Sequence, residues 1–196
     1  MTSPTLASEQ LAGTGQPVPP REPSDVGVVV DPPITSGLVD ALTALWAKVT
    51  NAGGSVGFVA PVTEDEVRPH TVAILARVID GSDTLVALTE GDNIVAWCVL
   101  AANDSPPRQG WRNVRHVQVD PDCQRGGLGG RLLDAAEAVA RGVLNLEALS
   151  LKARTGTGAV DFYRRHGFVE VGRLPRAVRI AADDYRDDII MWRRLR

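Results

Sequence analysis

The sequence has 196 residues, 44% of them apolar, and a net charge of −3. That length and composition suit one domain with its own core and exclude a disordered chain. No apolar run reaches the ~18–20 residues that span a bilayer, and the mild charge argues against nucleic acid or an anionic membrane as partner. Cys98 and Cys123 are the only cysteines, too few for a disulfide framework at this length. His70, His116 and His166 lack metal-ligand spacing, so no metal is expected. The start of the chain has no basic residues followed by an apolar block, which reads as a cytoplasmic protein without a secretory signal. Abundant Arg, Ala, Gly and Val beside only two lysines, Lys48 and Lys152, fits a GC-rich bacterial source.

Residues 1–25 are rich in Pro, Gly, Ser and Thr, poor in apolar side chains, and read as a flexible tail, which leaves 26–196 as the folded domain. Val26–Val30 is a short strand ended by Asp31-Pro32-Pro33. Leu38, Leu42, Leu45, Trp46 and Val49 mark one face of a helix over Ser36–Asn51, closed by Gly53-Gly54. Thr63 and Glu66 have capping-box spacing at the start of a second helix with Val67, Thr71, Ile74, Leu75 and Val78 inward. Pro69 lies inside it, so a kink or break is expected there.

Thr84–Thr89 and Ile94–Leu100 read as a hairpin around Gly91-Asp92-Asn93. A Pro-containing loop over Asn103–Gly110 leads to a strand over Trp111–Val119. A helix over Gly127–Arg141 buries Leu132, Leu133, Ala136, Val139 and Ala140. Leu146–Ala153 is a strand, Gly158–His166 a helix, and Phe168–Val171 and Asp188–Leu195 are the last strands. Strands first, then strand and helix in alternation, predict an α/β (α+β) sandwich around a mixed sheet.

The chemistry concentrates in Val117-Gln-Val-Asp-Pro-Asp-Cys-Gln124-Arg-Gly-Gly127-Leu-Gly129-Gly-Arg131. A strand ends, a glycine-rich turn follows, and a helix opens. Free N–H groups and the helix dipole favour an anion at such a start, and glycines let a ligand approach the backbone. Arg125 and Arg131 could add charge-assisted contacts. A mononucleotide P-loop would need Lys-Ser/Thr after the last glycine, where Gly130-Arg131-Leu132 stands. A dinucleotide site would need a third glycine and a position near the first strand. A pyrophosphate on a long pantetheine arm, as in CoA, is the remaining class.

Gln124-x-x-Gly127-x-Gly129 resembles the Q/R-x-x-G-x-G/A motif of the GNAT superfamily of N-acetyltransferases. Ala159-Val-Asp-Phe-Tyr163-Arg-Arg-His-Gly167-Phe168 is similar to the same family's A-x-x-x-Y-x-x-x-G-F segment. The two stand about forty residues apart in the family's order. The resemblance implies a mixed, splayed six- to seven-stranded sheet flanked by helices on both faces, and an acetyl-CoA-dependent N-acetyltransferase.

By position, it implies that backbone amides of Arg125, Gly126, Gly127, Leu128, Gly129 and Gly130 hold the pyrophosphate. Val117, Gln118 and Val119 would pair with the pantetheine arm, which enters where Trp111–Val119 and Leu146–Ala153 splay apart. A backbone N–H near Val117 would face the thioester oxygen, and Tyr163 would protonate the departing thiolate. Thr155 or Thr157 would stand where the family often has an asparagine, or would cap the helix.

No acid occupies the strand positions where family members often carry a base; Asn113, Ser150 and Lys152 stand there. Strand alternation puts Val117 and Asn113 on one face and His116 on the other, so a water chain or a partly neutral amine is expected to suffice. Cys123, beside the glycine turn, has no histidine positioned by sequence to make it a nucleophile.

The acceptor pocket is implied between the first two helices, their linker and the loop before the last strand. Gly53-Gly-Ser-Val-Gly57-Phe58 and Val171-Gly-Arg-Leu-Pro175 also resemble stretches of the tabtoxin-resistance acetyltransferases, a likeness that shared scaffold geometry explains as well. The arginine-rich segment Arg173–Arg186 could orient an amino-acid carboxylate, or be a solvated loop. The expected acceptor is a small or amino-acid-like amine; a protein lysine or N-terminus, or a non-catalytic acyl-CoA sensor, are the competing readings. By analogy the protein would be a monomer or homodimer.

Overall fold

The computed structural model describes residues 26–124 and 126–196; the expected tail over 1–25 and Arg125 lie outside the described residues. The elements run β1 (Val26–Val30), α1 (Ser36–Asn51), α2 (Glu64–Ile79), β2 (Thr84–Glu90), β3 (Asn93–Ala101), β4 (Trp111–Val119), α3 (Leu128–Gly142), β5 (Ala148–Arg154), α4 (Ala159–Arg165), β6 (Val169–Arg179) and β7 (Tyr185–Arg194), with single 3₁₀ turns at Pro106–Arg108 and Pro121–Cys123. One seven-stranded sheet has the order β1-β2-β3-β4-β5-β7-β6. Among the described residues its only parallel seam is β4 with β5.

Alternation along the central strands feeds two cores, one per face. Leu85, Ala87, Trp97 and Val99 pack with Leu42, Leu45, Trp46 and Val49 of α1 and Val67, Leu75 and Val78 of α2. Val86, Leu88, Cys98 and Leu100 pack with Leu132, Leu133, Ala136 and Val139 of α3 and Tyr163 of α4. Removing this apolar area from water is the main force that seats the helices.

The capping box forms in full: the Glu66 N–H donates to Thr63 Oγ1 (3.3 Å), and the Thr63 N–H donates to Glu66 Oε2 (2.8 Å). Pro69 does not break α2, which runs unbroken over Glu64–Ile79. The bond it forfeits is the one to the Asp65 carbonyl, and both residues face solvent, where water substitutes.

The segment expected as an arginine-rich loop is mostly strand. β6 and β7 form a long hairpin in which Arg176, at φ 54°, marks a shift of register.

Candidate functional site

β4 and β5 pair only through Trp111–Ala148, Arg112–Leu149 and Asn113–Ser150. Both strands continue beyond that point, so the seam opens along Val114–Val119, as expected. On its other edge β4 pairs with β3, with a shift of register at Trp97/Val99 where His116 and Val117 stand opposite Cys98. His116 takes a left-handed conformation (φ 54°) there. An extra residue in one strand bends and twists it.

The bulge corrects one expectation. Val117 and Asn113 do not share a face. Val114, Val117 and Val119 pack on the α3/α4 side, whereas Asn113 borders Arg77 and Arg115 on the other. The extra residue restarts the alternation, which sequence spacing alone counts straight through.

The open seam leads into a cleft of about 690 Å³. Val117 and Val119 line it from β4, Gly127–Gly130 from the glycine turn, and Phe162, Tyr163, Arg165 and His166 from α4 and its end. The opposite lip is Val49 and Ala52–Val56, from the end of α1 and the chain after it. Gly127 is the N-cap of α3 at φ 76°, a left-handed conformation that favours glycine. The first helical bond there is from the Arg131 N–H to the Gly127 carbonyl (3.1 Å). The N–H groups of Leu128, Gly129 and Gly130 precede it and have no partner within the helix. The first turn holds no acidic residue. Such a start suits a diphosphate by charge and by donors.

The next two glycines serve packing. A Cβ on Gly129 would lie 3.1 Å from Phe162 Cζ, and one on Gly130 would lie 2.9 Å from His166 Nε2. His166 is held in place by a 2.8 Å hydrogen bond between Nδ1 and the Phe162 carbonyl. These glycines let α4 approach α3 and close the wall of the cleft. Sequence reasoning passed over His166, although Phe162 and His166 are four apart on one helix face.

Of the other expected residues, Tyr163 is buried at the cleft wall, its ring 5.2 Å from Phe162 and 5.9 Å from Phe168 between centroids. Burial pushes its phenol pKa up, so the hydroxyl keeps its proton throughout the neutral range. Gln118 is in β4, but its side chain is enclosed, with both amide atoms unpartnered, so only its backbone could meet a ligand. Gly126 is exposed beside the turn. Arg131 donates to the Val26 carbonyl (3.0 Å), which ties α3 to β1.

Thr155 lies outside the main cleft. It fastens the end of β5 to β7: its N–H donates to the Asp187 carbonyl, and its Oγ1 accepts the Asp187 N–H (3.1 Å). Thr157 lines the cleft, and its Oγ1 bonds the Arg154 carbonyl and the Ala159 N–H at the start of α4.

His116 turns to the α1/α2 side, stacked on Trp97 (centroids 5.6 Å, 18° between planes) and 4.5 Å from Trp46. Burial first, then the charge of Arg115, push its pKa down to about 4, so it is neutral at pH 7. Cys98 is fully buried and its pKa is pushed up to about 12, which makes it inert as a nucleophile. Lys48 spans from α1 to Asp120 (2.6 Å) and Asp122 (2.7 Å) and fixes the end of β4 just before the glycine turn. Among the described residues no cluster of His, Cys, Asp or Glu is placed to hold a metal ion, and no helix is long and apolar enough to cross a membrane.

A half-opened parallel seam that runs into a glycine-capped helix start is the architecture of an acyl-CoA-dependent transferase. Residues 80–170 match a family model described as an acetyltransferase (GNAT) domain. That stretch carries a GNAT-type acetyltransferase domain, and acetyl-CoA is the acetyl donor of that family.

Solved structures share the fold. A Salmonella typhimurium protein solved with acetyl-CoA as its cofactor has a TM-score of 0.70 at 15% identity, covering 88% of this chain and 95% of its own. A spermidine N-acetyltransferase chimera from Vibrio cholerae and hSSAT has a TM-score of 0.68 at 19% identity, covering 88% and 96%. A ribosomal-protein-alanine N-acetyltransferase from Brucella melitensis has a TM-score of 0.68 at 17% identity, covering 85% and 99%.

Proposed function

We propose that residues 26–196 act as one catalytic domain that transfers the acetyl group directly from acetyl-CoA to the primary amine of a small or amino-acid-like acceptor. The observation that carries this reading is the continuity of the cleft, from the helix start at Gly127–Gly130, past Val117 in the open seam, to Tyr163. The backbone of Gly126–Gly130, with Arg125, holds the diphosphate, and Val117–Val119 guide the arm. A main-chain N–H near Val117 stabilises the charge that develops on the thioester oxygen.

Tyr163 serves as the general acid. Its raised pKa ensures that it arrives protonated, and its hydroxyl is the donor available to the charge that develops on the leaving thiolate. Acetyl transfer then breaks the thioester C–S bond as the amine nitrogen forms the new C–N bond. The amine proton leaves to water, and the sulfur takes a proton from Tyr163.

The acceptors named for the fold neighbours range from a polyamine to a ribosomal protein, so the fold alone does not choose among them. What favours a small acceptor is the modest scale, about 250 Å³, of the cavity that adjoins the cleft at Gly53 and Thr157. A thiol-release assay with acetyl-CoA across an amine library that includes peptides tests the reading. Turnover with small amines, well above that with peptides, is expected. Turnover confined to peptides would transfer the activity to a protein acceptor. Tight acetyl-CoA binding with no thiol release from any acceptor would leave an acyl-CoA sensor.

A further inference from the structure

At the far end of β5 the cleft has a side chamber of about 250 Å³ that shares Gly53 and Thr157 with it. Two arginines from different strands, Arg154 and Arg186, line it. Arg186 is paired with Asp184 through both oxygens (Nη2–Oδ2 2.9 Å). It lies flat along Gly156, where an added Cβ would come within 3.0 Å of its Nε.

Arg154 is different. It is partly buried, and among the described residues its guanidinium has no hydrogen-bond or ion-pair partner. Asp188, opposite it in register, is engaged by Lys152 at 3.4 Å. Burial first, and then the charge of Arg186, lower the pKa of Arg154. A guanidinium stays charged even so. Asp184 offsets that lowering only in part, because Arg186 already holds its carboxylate, and an arriving anion relieves the remaining cost of a partly desolvated cation. The Thr155 hydroxyl, which accepts the Asp187 N–H, keeps its own proton to donate into the same chamber.

We propose that this chamber binds an anionic group of the acceptor, a carboxylate or an oxyanion of similar shape, borne close to the amine that is acetylated. The inference rests on the acetyl-transfer reading above and narrows its substrate class. Arg154 supplies a guanidinium with no hydrogen-bond or ion-pair partner among the described residues, Arg186 a second guanidinium already oriented by Asp184, and Thr155 a neutral donor. The same pair of cations repels polyamines, and the chamber is too small for a folded protein surface.

The test follows acetyl transfer to the common amino acids and to their carboxamides, in the wild type and in Arg154→Gln, Arg186→Gln and Arg154→Lys. At least one amino acid is expected to exceed its carboxamide in kcat/KM by about tenfold or more, the scale of a charge-assisted pair. Arg154→Gln should erase most of that preference through KM, Arg154→Lys should keep part of it, and the acetyl-CoA Kd should stay unchanged. Equal rates for acid and amide, or a preference that survives Arg154→Gln, would overturn the inference. Loss of acetyl-CoA affinity in Arg154→Gln would overturn it too, by assigning the chamber to a phosphate of the donor.

Calorimetric binding of the same amino acids and carboxamides to the CoA-saturated protein gives a readout free of turnover. Carboxylate-dependent binding that Arg154→Gln abolishes sustains the inference even if no amine is acetylated, an outcome that sinks only the acetyl-transfer reading. Absence of carboxylate-dependent binding refutes the inference while leaving that reading intact.

Discussion

Strand β5 has two neighbours and meets them differently: it pairs with β7 along its whole length, Ala148–Arg154, but with β4 only as far as Ser150. One strand borders both seams, so residue type in β5 cannot by itself explain the difference. On the β7 side, Ile189 and Met191 are fully buried in the core with Leu151 and Ala153. On the β4 side, the bulge at His116 turns the strand away, and the ring beneath it is clasped by Trp46 and Trp97. Closed pairing spends every backbone donor on stability, whereas an open seam keeps some for a ligand. The cleft is a local loss of sheet pairing, beside a strand bulge whose histidine packs on the opposite face.

The sharpest way to break this comparison is at the open seam. Tyr163→Phe should lower kcat by about 10²–10⁴ while the acetyl-CoA Kd stays within about twofold, because the ring packing survives and only the proton is lost. Steady-state kinetics beside direct binding separates the two, and an undiminished kcat would remove Tyr163 from the chemistry.

The ring under the bulge gives the next largest effect. His116 titrates at about 4 in the fold against an ordinary value of 6.5. The unfolded chain therefore binds more protons between those values, and stability is lost as pH falls from 6.5 toward 4. The loss approaches roughly 3 kcal/mol. Denaturant melts of wild type and His116→Gln across that range should show a flatter pH dependence in the variant; parallel curves would contradict the burial of a neutral imidazole.

The glycines of the turn sharpen the picture further. Gly130→Ala should cost about 1–3 kcal/mol by pressing on the held ring of His166, and His166→Ala in the same chain should recover much of it. Gly127→Ala should cost about 1–2 kcal/mol through its backbone conformation alone, with no recovery from His166→Ala. Thermal unfolding of the single and double variants distinguishes the two causes.

The smallest effect belongs to Lys48. Its bridges to Asp120 and Asp122 are half exposed, so Lys48→Met should cost less than about 1 kcal/mol. The acetyl-CoA Kd should rise only slightly, and less at high salt.

Much of this was legible in the chain. Ser36–Asn51 and Trp111–Val119 have the expected bounds, and β2 and β3 needed only an extra residue or two, because apolar period and caps are local signals. The glycine turn and the Tyr163 helix stand where their motifs put them. Legibility failed wherever a count along the chain met a neighbour across space. Alternation from Asn113 to Val117 misplaced a face because the bulge is fixed by Trp46, Trp97 and β3. A kink or break was expected at Pro69, and the helix is unbroken, because no local rule says that its lost bond faces water. The packing role of Gly129 and Gly130 was not legible either, because the side chains that exclude a Cβ there, Phe162 and His166, come from another part of the chain.

The sequence by itself determined the order of strands and helices, the helix start at Gly127, and the presence of a tyrosine about forty residues after Gln124. Each depends on hydrogen bonds and torsions within a few residues, which residue type controls directly. Only the tertiary structure decided that the β4–β5 seam stops at Asn113, that His116 lies neutral beneath it, and that Arg154 and Arg186 share one chamber. These depend on side chains far apart in the chain competing for the same space and the same charge, and no local pattern encodes that competition.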